Sequence, residues 1–310
     1  KGKVWIDGSW DGYKFLGEEY YSDNYSLVCI SDVTDIRDEI IEDFVIANDS
    51  IMVKDSNGYL WICGNRNDIL TMQGFGTDSY NYNKFRRVSS AYFGGAKVDK
   101  IMSNCDDTGN YRSIATVIDE YGRVWIWGYG NNGSLGNGAT ENNSTPICIS
   151  DGETEKLYGT QITDIDFSYN GYYSAFRTVA LDSEGRIWTW GGKSEYGESG
   201  SANRDYIKEP KILDVTYDAH LEYNLKFSKV FISDQNKGYF AIDEDGKLWS
   251  WGENSYGRLG YGRSTNNRVD VPTIVDIPGS PKMKKVASIY GTSLFLSEDG
   301  RVYICGSYYT

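Results

Sequence analysis

Several short stretches of the chain hold residue types that could do chemistry. GNNGSLGNG (residues 130–138) has the glycine content of a phosphate cradle. A phosphate-binding loop of that kind ends in Gly-Lys-Ser/Thr and opens a helix, so that backbone N–H groups and a lysine meet the phosphates. This stretch lacks the ending and opens no helical pattern, so it reads as a loop. DEDGK (243–247) begins like a calcium loop, but its oxygen ligands do not continue to a glutamate at the twelfth position. His220, the single histidine, stands near Asp218 and Glu222 with no nucleophile motif beside it. The five cysteines are scattered, with no Cys-x-x-Cys pair, which argues against a structural zinc site and against a disulfide framework. No catalytic residue, cofactor or metal is expected, although carboxylates brought together only by folding stay open at this point.

Charge narrows the partners. Lysine and arginine number 31 against 44 acidic residues, a formal charge of −13. Nucleic acid needs cations to displace phosphate counterions, and an anionic membrane surface needs the same. Neither is an expected partner. No apolar run is long enough to span a bilayer, so no membrane insertion is expected. The acidic surplus reads first as a solubility device for a β-rich chain.

The stretches that recur are structural. GKVWIDG (2–8), GYLWICG (58–64), GRVWIWG (122–128), GRIWTWG (185–191), GKLWSWG (246–252) and GRVYICG (300–306) are six copies of one motif. Their closing glycines, from Gly8 to Gly306, recur every 54–64 residues. A near-fixed spacing of this size marks a repeat architecture. Five copies follow a β-rich run that ends in a polar turn: IMVKDSNG (51–58), ATVIDEYG (115–122), TVALDSEG (178–185), YFAIDEDG (239–246) and SLFLSEDG (293–300). Glycine after acidic or polar residues is the signature of a tight hairpin. An earlier apolar stretch precedes each hairpin: VTDI (33–36), KVDKI (97–101), ITDI (162–165), FSKV (227–230) and MKKV (283–286). Pro146, Pro210 and Pro272 lead into a further apolar run, a position a strand edge tolerates.

That makes four strands per repeat and no convincing amphipathic helix. In GRVWIWG, alternation puts Val124 and Ile126 on one face and Trp125 and Trp127 on the other, so neither face is polar. A strand apolar on both faces belongs in a sheet covered on both sides. The expected fold is therefore all-β: a β-propeller of four-stranded antiparallel blades, in which each blade lies between two others. The expected organisation is a single propeller domain over residues 1–310, with six repeat motifs and incomplete blades at both ends. A six- or seven-bladed ring, or an excerpt of one, fits. The first residues supply only the last strand of a hairpin, and the final residues supply a whole one. The ends are thus not complementary, which suggests a piece of a longer repeat chain or an end blade completed by another molecule.

WGYGNNGSLGNG (127–138) and WGENSYGRLGYG (251–262), with the Asp-x-x-Gly hairpins before them, resemble the repeat of the regulator-of-chromosome-condensation family. Its pattern is roughly WGxNxxGQLGxG. The likeness is strongest over residues 115–138, 178–197 and 239–262 and weakest at both ends. It implies a propeller, usually of seven blades, and a non-catalytic role: exchange factor for a small GTPase, enzyme inhibitor, or another protein-binding function. The histidine that family repeats often carry before the hairpin is missing from every copy, and Thr292 takes its place in the last.

Function is expected in the loops that join the first strand of each repeat to its hairpin: DEIIEDF (38–44), NCDDTGNYR (104–112), SYNGYYS (168–174), DQNKG (234–238) and YGT (290–292). Equivalent repeats place equivalent loops on one face. The candidate contacts are Asp106, Asp107, Tyr111, Tyr169, Tyr172, Tyr173 and Asp234, since tyrosine is enriched where proteins bind one another. The reading is a protein-interaction or structural propeller. It would serve as a surface, secreted or assembly component of a bacterial or viral system, outside the cell or on its surface, with a protein partner or other copies of itself. The alternatives are an inhibitor or exchange factor of the same fold, and a carbohydrate-binding propeller.

Overall fold

The computed structural model describes residues 3–6, 28–29, 36–47, 50–64, 82–106, 112–152, 156–171, 174–193, 205–213, 225–233, 238–262, 268–289 and 291–307. Among them there is no α-helix, only short 3-10 turns such as Ser90–Phe93. The chain divides into two compact units, residues 1–129 with 141–151, and residues 130–140 with 152–310.

The first unit opens with a two-stranded sheet, β1 (Trp5–Ile6) and β2 (Val28–Cys29). Two four-stranded antiparallel sheets follow. One is β3 (Ile41–Ala47), β4 (Ser50–Asp55), β5 (Leu60–Gly64) and β6 (Tyr82–Arg87). The other is β7 (Val98–Cys105), β8 (Ser113–Asp119), β9 (Val124–Gly128) and β10 (Asn143–Cys148). In the second unit β11 (Ile162–Asn170), β12 (Ala175–Asp182), β13 (Ile187–Trp190) and β14 (Lys211–Ile212) form one sheet. β15 (Phe227–Ile232), β16 (Gly238–Asp243), β17 (Leu248–Glu253) and β18 (Arg268–Ile274) form the next. The last sheet has three strands, β19 (Met283–Ile289), β20 (Thr292–Ser297) and β21 (Val302–Gly306). Within every sheet each strand pairs with the one before it in the chain. These meanders are the blades of a β-propeller.

One expected strand is displaced. The first strand of this repeat is Ile41–Ala47, which overlaps the stretch read as a loop; of the expected VTDI strand Ile36 lies in a turn, and residues 33–35 lie outside the described residues. The deciding contact is the register. Ile41 lies opposite Asp55, as Val98 lies opposite Asp119, Ile162 opposite Asp182, Phe227 opposite Asp243 and Met283 opposite Ser297. Immediately after each of these pairs the register shifts by a bulge. A bulge adds one residue and bends the strand. VTDI shares the look of ITDI, but only the 41–47 segment sets an isoleucine against the aspartate.

That aspartate does more than turn the chain. Asp119 Oδ1 accepts from the backbone N–H groups of Tyr121 and Arg123, both at 3.0 Å. Its Oδ2 accepts from Trp125 Nε1 at 2.8 Å and Arg123 Nε at 2.7 Å. Asp182 repeats the set with Glu184, Arg186 and Trp188, the indole bond being 2.9 Å. Asp55 holds Trp61, and Asp243 holds Trp249, each at 2.8 Å. All four carboxylates are buried. A buried carboxylate is tolerable because its lone pairs are filled by charge-assisted bonds. The indole N–H likewise finds a partner inside the sheet. In the last copy Ser297 and Tyr303 replace the pair, and Ser297 Oγ bonds the backbone N–H of Arg301 instead, at 3.0 Å.

Neighbouring sheets within a unit join by a repeated contact. The carbonyl of the hairpin glycine accepts the N–H that opens the next sheet: Gly58 from Val98 at 2.9 Å, Gly185 from Phe227 at 2.9 Å, Gly246 from Met283 at 2.8 Å. The lysine just before that N–H crosses over the glycine. A Cβ at Gly185 or Gly246 would stand 2.7 or 2.8 Å from the Cβ of Lys226 or Lys282. These glycines also hold φ near +80°, so a side chain is excluded twice. Behind the contact lies a shared apolar core. Met52, Leu60 and Ile62 of one sheet meet Ile101, Val117 and Trp125 of the next. In the second unit Val179 and Ile187 meet Val230 and Trp249 in the same way.

Removing a tether should therefore cost far more than removing its substitute. Asp182→Ala strands the Trp188 indole and two backbone N–H groups, and should lower stability by about 3 kcal/mol or more in urea unfolding. Ser297→Ala should cost about 1 kcal/mol. Equal losses would contradict the role assigned to the carboxylate.

Candidate partner-binding loops

Two of the loops singled out above have a closed base. Asp106 directly follows the first strand of its sheet and is 2 % exposed. Its N–H donates to the Arg112 carbonyl at 2.9 Å, and its Oδ2 lies 3.8 Å from Arg112 Nη1. The Arg112 guanidinium in turn covers the Tyr129 ring at 5.3 Å. Asp106 and Arg112 thus meet at the base of this loop. Tyr169 is 3 % exposed, lies opposite Phe176 across the β11–β12 ladder, and packs on its ring at 5.0 Å. Both candidates are buried at the foot of their loops. Asp107, Tyr111, Tyr172, Tyr173 and Asp234 lie outside the described residues.

In the second unit the loop bases are tied to one another. Asp166 Oδ2 accepts from the N–H of Ile232 at 2.9 Å, joining the middle of β11 to the end of β15. Ser288 Oγ donates to Ser233 Oγ at 3.0 Å, joining β19 to β15, and stands 2.8 Å from Ser293 Oγ. The ends of β15 and β19, from which two of the loops start, therefore lie side by side. In the first unit the β3–β4 connection is residues 48–49 alone, because residues 41–44 of the expected loop are strand.

The other candidates resolve into packing. The 130–138 stretch is a clasp. Leu135 is buried, Ser134 Oγ accepts from the N–H of Phe176 at 2.9 Å, and a Cβ at Gly136 would reach the Trp190 ring at 2.8 Å. Its counterpart at 254–262 does the same, with Leu259 buried and Gly260 held against Val275. The glycines make room for an aromatic ring or a branched side chain, not for phosphate. DEDGK is a hairpin turn whose Asp243 points inward to Trp249. His220 lies outside the described residues. Among the described residues no group of three His, Cys, Asp or Glu side chains could hold a metal.

Two buried arginines escaped the sequence reading. Arg177 stands at the position where the family pattern carries histidine, and donates from Nη2 to the Lys193 carbonyl at 2.8 Å. Arg258 stands where the pattern has glutamine. It donates from Nε to the Ser255 carbonyl at 2.9 Å, and burial lowers its pKa. The departure from the pattern was the only available signal for either.

Residues 121–167 and 245–296 match the family described as regulator of chromosome condensation (RCC1) repeat. The human E3 ubiquitin-protein ligase HERC2 is 29 % identical over 195 residues, covering 63 % of this chain and 4 % of HERC2. The ultraviolet-B receptor UVR8 of Arabidopsis thaliana is 27 % identical over 183 residues, covering 59 % of this chain and 37 % of the receptor. The chain thus spans well under two thirds of these relatives. In fold it is similar to human WBSCR16, with a TM-score of 0.66 at 18 % identity, covering 91 % of this chain and 63 % of that one. It is also similar to Prp20p of Saccharomyces cerevisiae, with a TM-score of 0.64 at 21 % identity, covering 87 % of this chain and 58 % of that one.

All five cysteines are free thiols. Burial raises Cys148 and Cys305 from 9.0 to about 11 each. Their thiolates are scarce at neutral pH, so neither is a nucleophile there. A proton bound more tightly in the folded state stabilises fully below pH 9, and the gain is lost as pH rises toward 11. A Cys148→Ser, Cys305→Ser variant should show a shallower fall of unfolding midpoint across that window. An unchanged slope would contradict the burial of the two thiols.

Proposed function

We propose that this chain, whose repeats are those of the regulator of chromosome condensation family, is a non-catalytic protein-binding propeller that works through the loops between the first and second strands of its blades. One observation carries the reading. Nearly every residue that recurs from repeat to repeat is consumed by packing: aspartate on indole, glycine under lysine, leucine in the clasp. What differs between equivalent repeats is the loop tips, NCDDTGNYR against SYNGYYS against DQNKG. A rigid scaffold with variable loops is the usual arrangement for recognition. The names of the relatives point the same way. The Prp20p structure is described together with its binding to Gsp1p and histones. An exchange factor or an enzyme inhibitor would be a special case of the same binding role. The charge of −13 supports a protein partner over nucleic acid.

The test separates tip from base. Replacing 107–111 and 234–237 with Gly/Ser of equal length should leave the melting temperature unchanged. It should also remove, at least about tenfold, the proteins captured from a native lysate by the wild-type chain. Asp106→Ala should instead lower the melting temperature, because it opens the loop base. Unchanged capture by the tip variant would end the loop reading. Retention on a glycan array, lost in the same variant, would replace a protein partner with a carbohydrate.

A further inference from the structure

Near its end, β19 differs from its counterparts in the second unit. Phe167 of β11 faces Thr178, and Ile232 of β15 faces Tyr239. At the equivalent place Ser288 of β19 faces Ser293 of β20. A position that carries a large apolar residue in two sheets thus carries a hydroxyl in the third, opposite another hydroxyl. Ser293 is fully buried, and so is Ser233, which directly follows β15. A buried hydroxyl contributes less to cohesion than an apolar side chain of fitting shape, and costs stability unless it is hydrogen-bonded. Packing alone gives no reason for serine here.

The three hydroxyls bond one another. Each has a single proton to give. That of Ser288 goes to Ser233 Oγ at 3.0 Å. Ser293 Oγ stands 2.8 Å from Ser288 Oγ and is then the donor of that contact. Ser233 Oγ donates in turn to the Ser288 carbonyl at 3.5 Å. The chain Ser293–Ser288–Ser233 therefore crosses from one sheet to the next. It also meets two loop bases. The Ser233 N–H donates to the Gly238 carbonyl at 2.8 Å, across the feet of the 234–237 loop. Ser288 Oγ lies 3.3 Å from the Thr292 carbonyl, and Ile289 pairs with Thr292 across the feet of the 290–291 loop.

From these contacts we infer that the Ser233–Ser288–Ser293 chain is a coupling device: the loop bases at the ends of β15 and β19 open and close together. When the base after β15 opens, the Ser288 proton is left with the longer contact to the Thr292 carbonyl. When the end of β19 moves away, Ser233 Oγ loses its donor and buried Ser293 loses its acceptor. Each base is thus held by the other, and a hydroxyl chain of this kind is stronger whole than in parts. The three serines are positioning residues. Their use rests on the proposed loop reading: a partner that orders one base orders the other with it, which gives positive coupling between the two contacts. The coupling itself belongs to the free chain and is measured without a partner.

Amide hydrogen exchange on the 310-residue chain tests it. Ser288→Ala should speed exchange of the Ser233 amide, in the neighbouring sheet, by about fivefold or more. Ser288→Thr keeps the hydroxyl on a residue that strands favour and should restore the wild-type rate. Coupling is reciprocal, so Ser233→Ala should speed exchange of the Ser288 and Ser293 amides to a similar degree. That second variant carries the test should Ser288→Ala not fold. Amides of β8 and β12 should keep their rates in every variant. Faster exchange confined to the substituted sheet, a rise spread over all sheets, or no rescue by threonine would each overturn the coupling. Unchanged lysate capture by the loop-tip variant would end the loop reading and leave these rates as they are, so the two fail separately.

Discussion

A carboxylate buried beneath an indole organises four of the repeats. Asp55, Asp119, Asp182 and Asp243 each sit where a strand ends, and each holds a tryptophan six residues further along. One end of the bond closes the hairpin by gathering backbone N–H groups. The other fixes the ring that leans toward the preceding sheet. Turn geometry and inter-sheet packing are thereby one interaction, and neither tolerates the loss of the other. Ring contacts repeat with it: Phe93 on Trp125 and Phe227 on Trp249 are both edge-on, with centroids 5.8 Å apart. A second tryptophan in the same strand behaves differently. Trp190 and Trp251 are fully buried, and their N–H groups have no partner among the described residues. Their worth lies in area and shape, at the expense of an unmet donor.

This division explains how much of the molecule could be read from its sequence. Strand number, hairpins and the antiparallel order were legible because large rings and turn glycines recur at fixed places. The aspartate was visible as a turn former, but its hold on the indole was not, since a six-residue spacing does not reveal which way a side chain leans. The first strand of the first repeat was misplaced because VTDI and ITDI look alike. Only the pairing of Ile41 with Asp55 separates them. Asp106 and Tyr169 were read as loop residues, and their depth was not legible. A polar or amphipathic group at a strand end is outward or inward according to what stands behind it. Arg112 and Phe176 supply that background, and no local pattern predicts them.

The glycine-rich clasp shows how composition misleads about chemistry. Glycine is needed wherever a backbone must approach something closely, and phosphate is one such object among several. Here the object is the Trp190 ring in one clasp and Val275 in the other. The same backbone freedom therefore serves cohesion between strands far apart in sequence. The proposed binding role accordingly falls to the loop tips, the places where the repeat stops dictating residue identity.

Because every sheet is a meander of consecutive strands, the order of the chain is also the order of assembly. All ladder partners of a strand are its immediate predecessors and successors, so each unit of three or four strands closes locally before distant segments are required. During synthesis, a sheet leaving the ribosome would meet its hairpin lid at once and its lysine-bearing neighbour some fifty to sixty residues later. The growing polypeptide would thus always carry one naked sheet face at its newest end, a brief hazard that moves along the nascent protein.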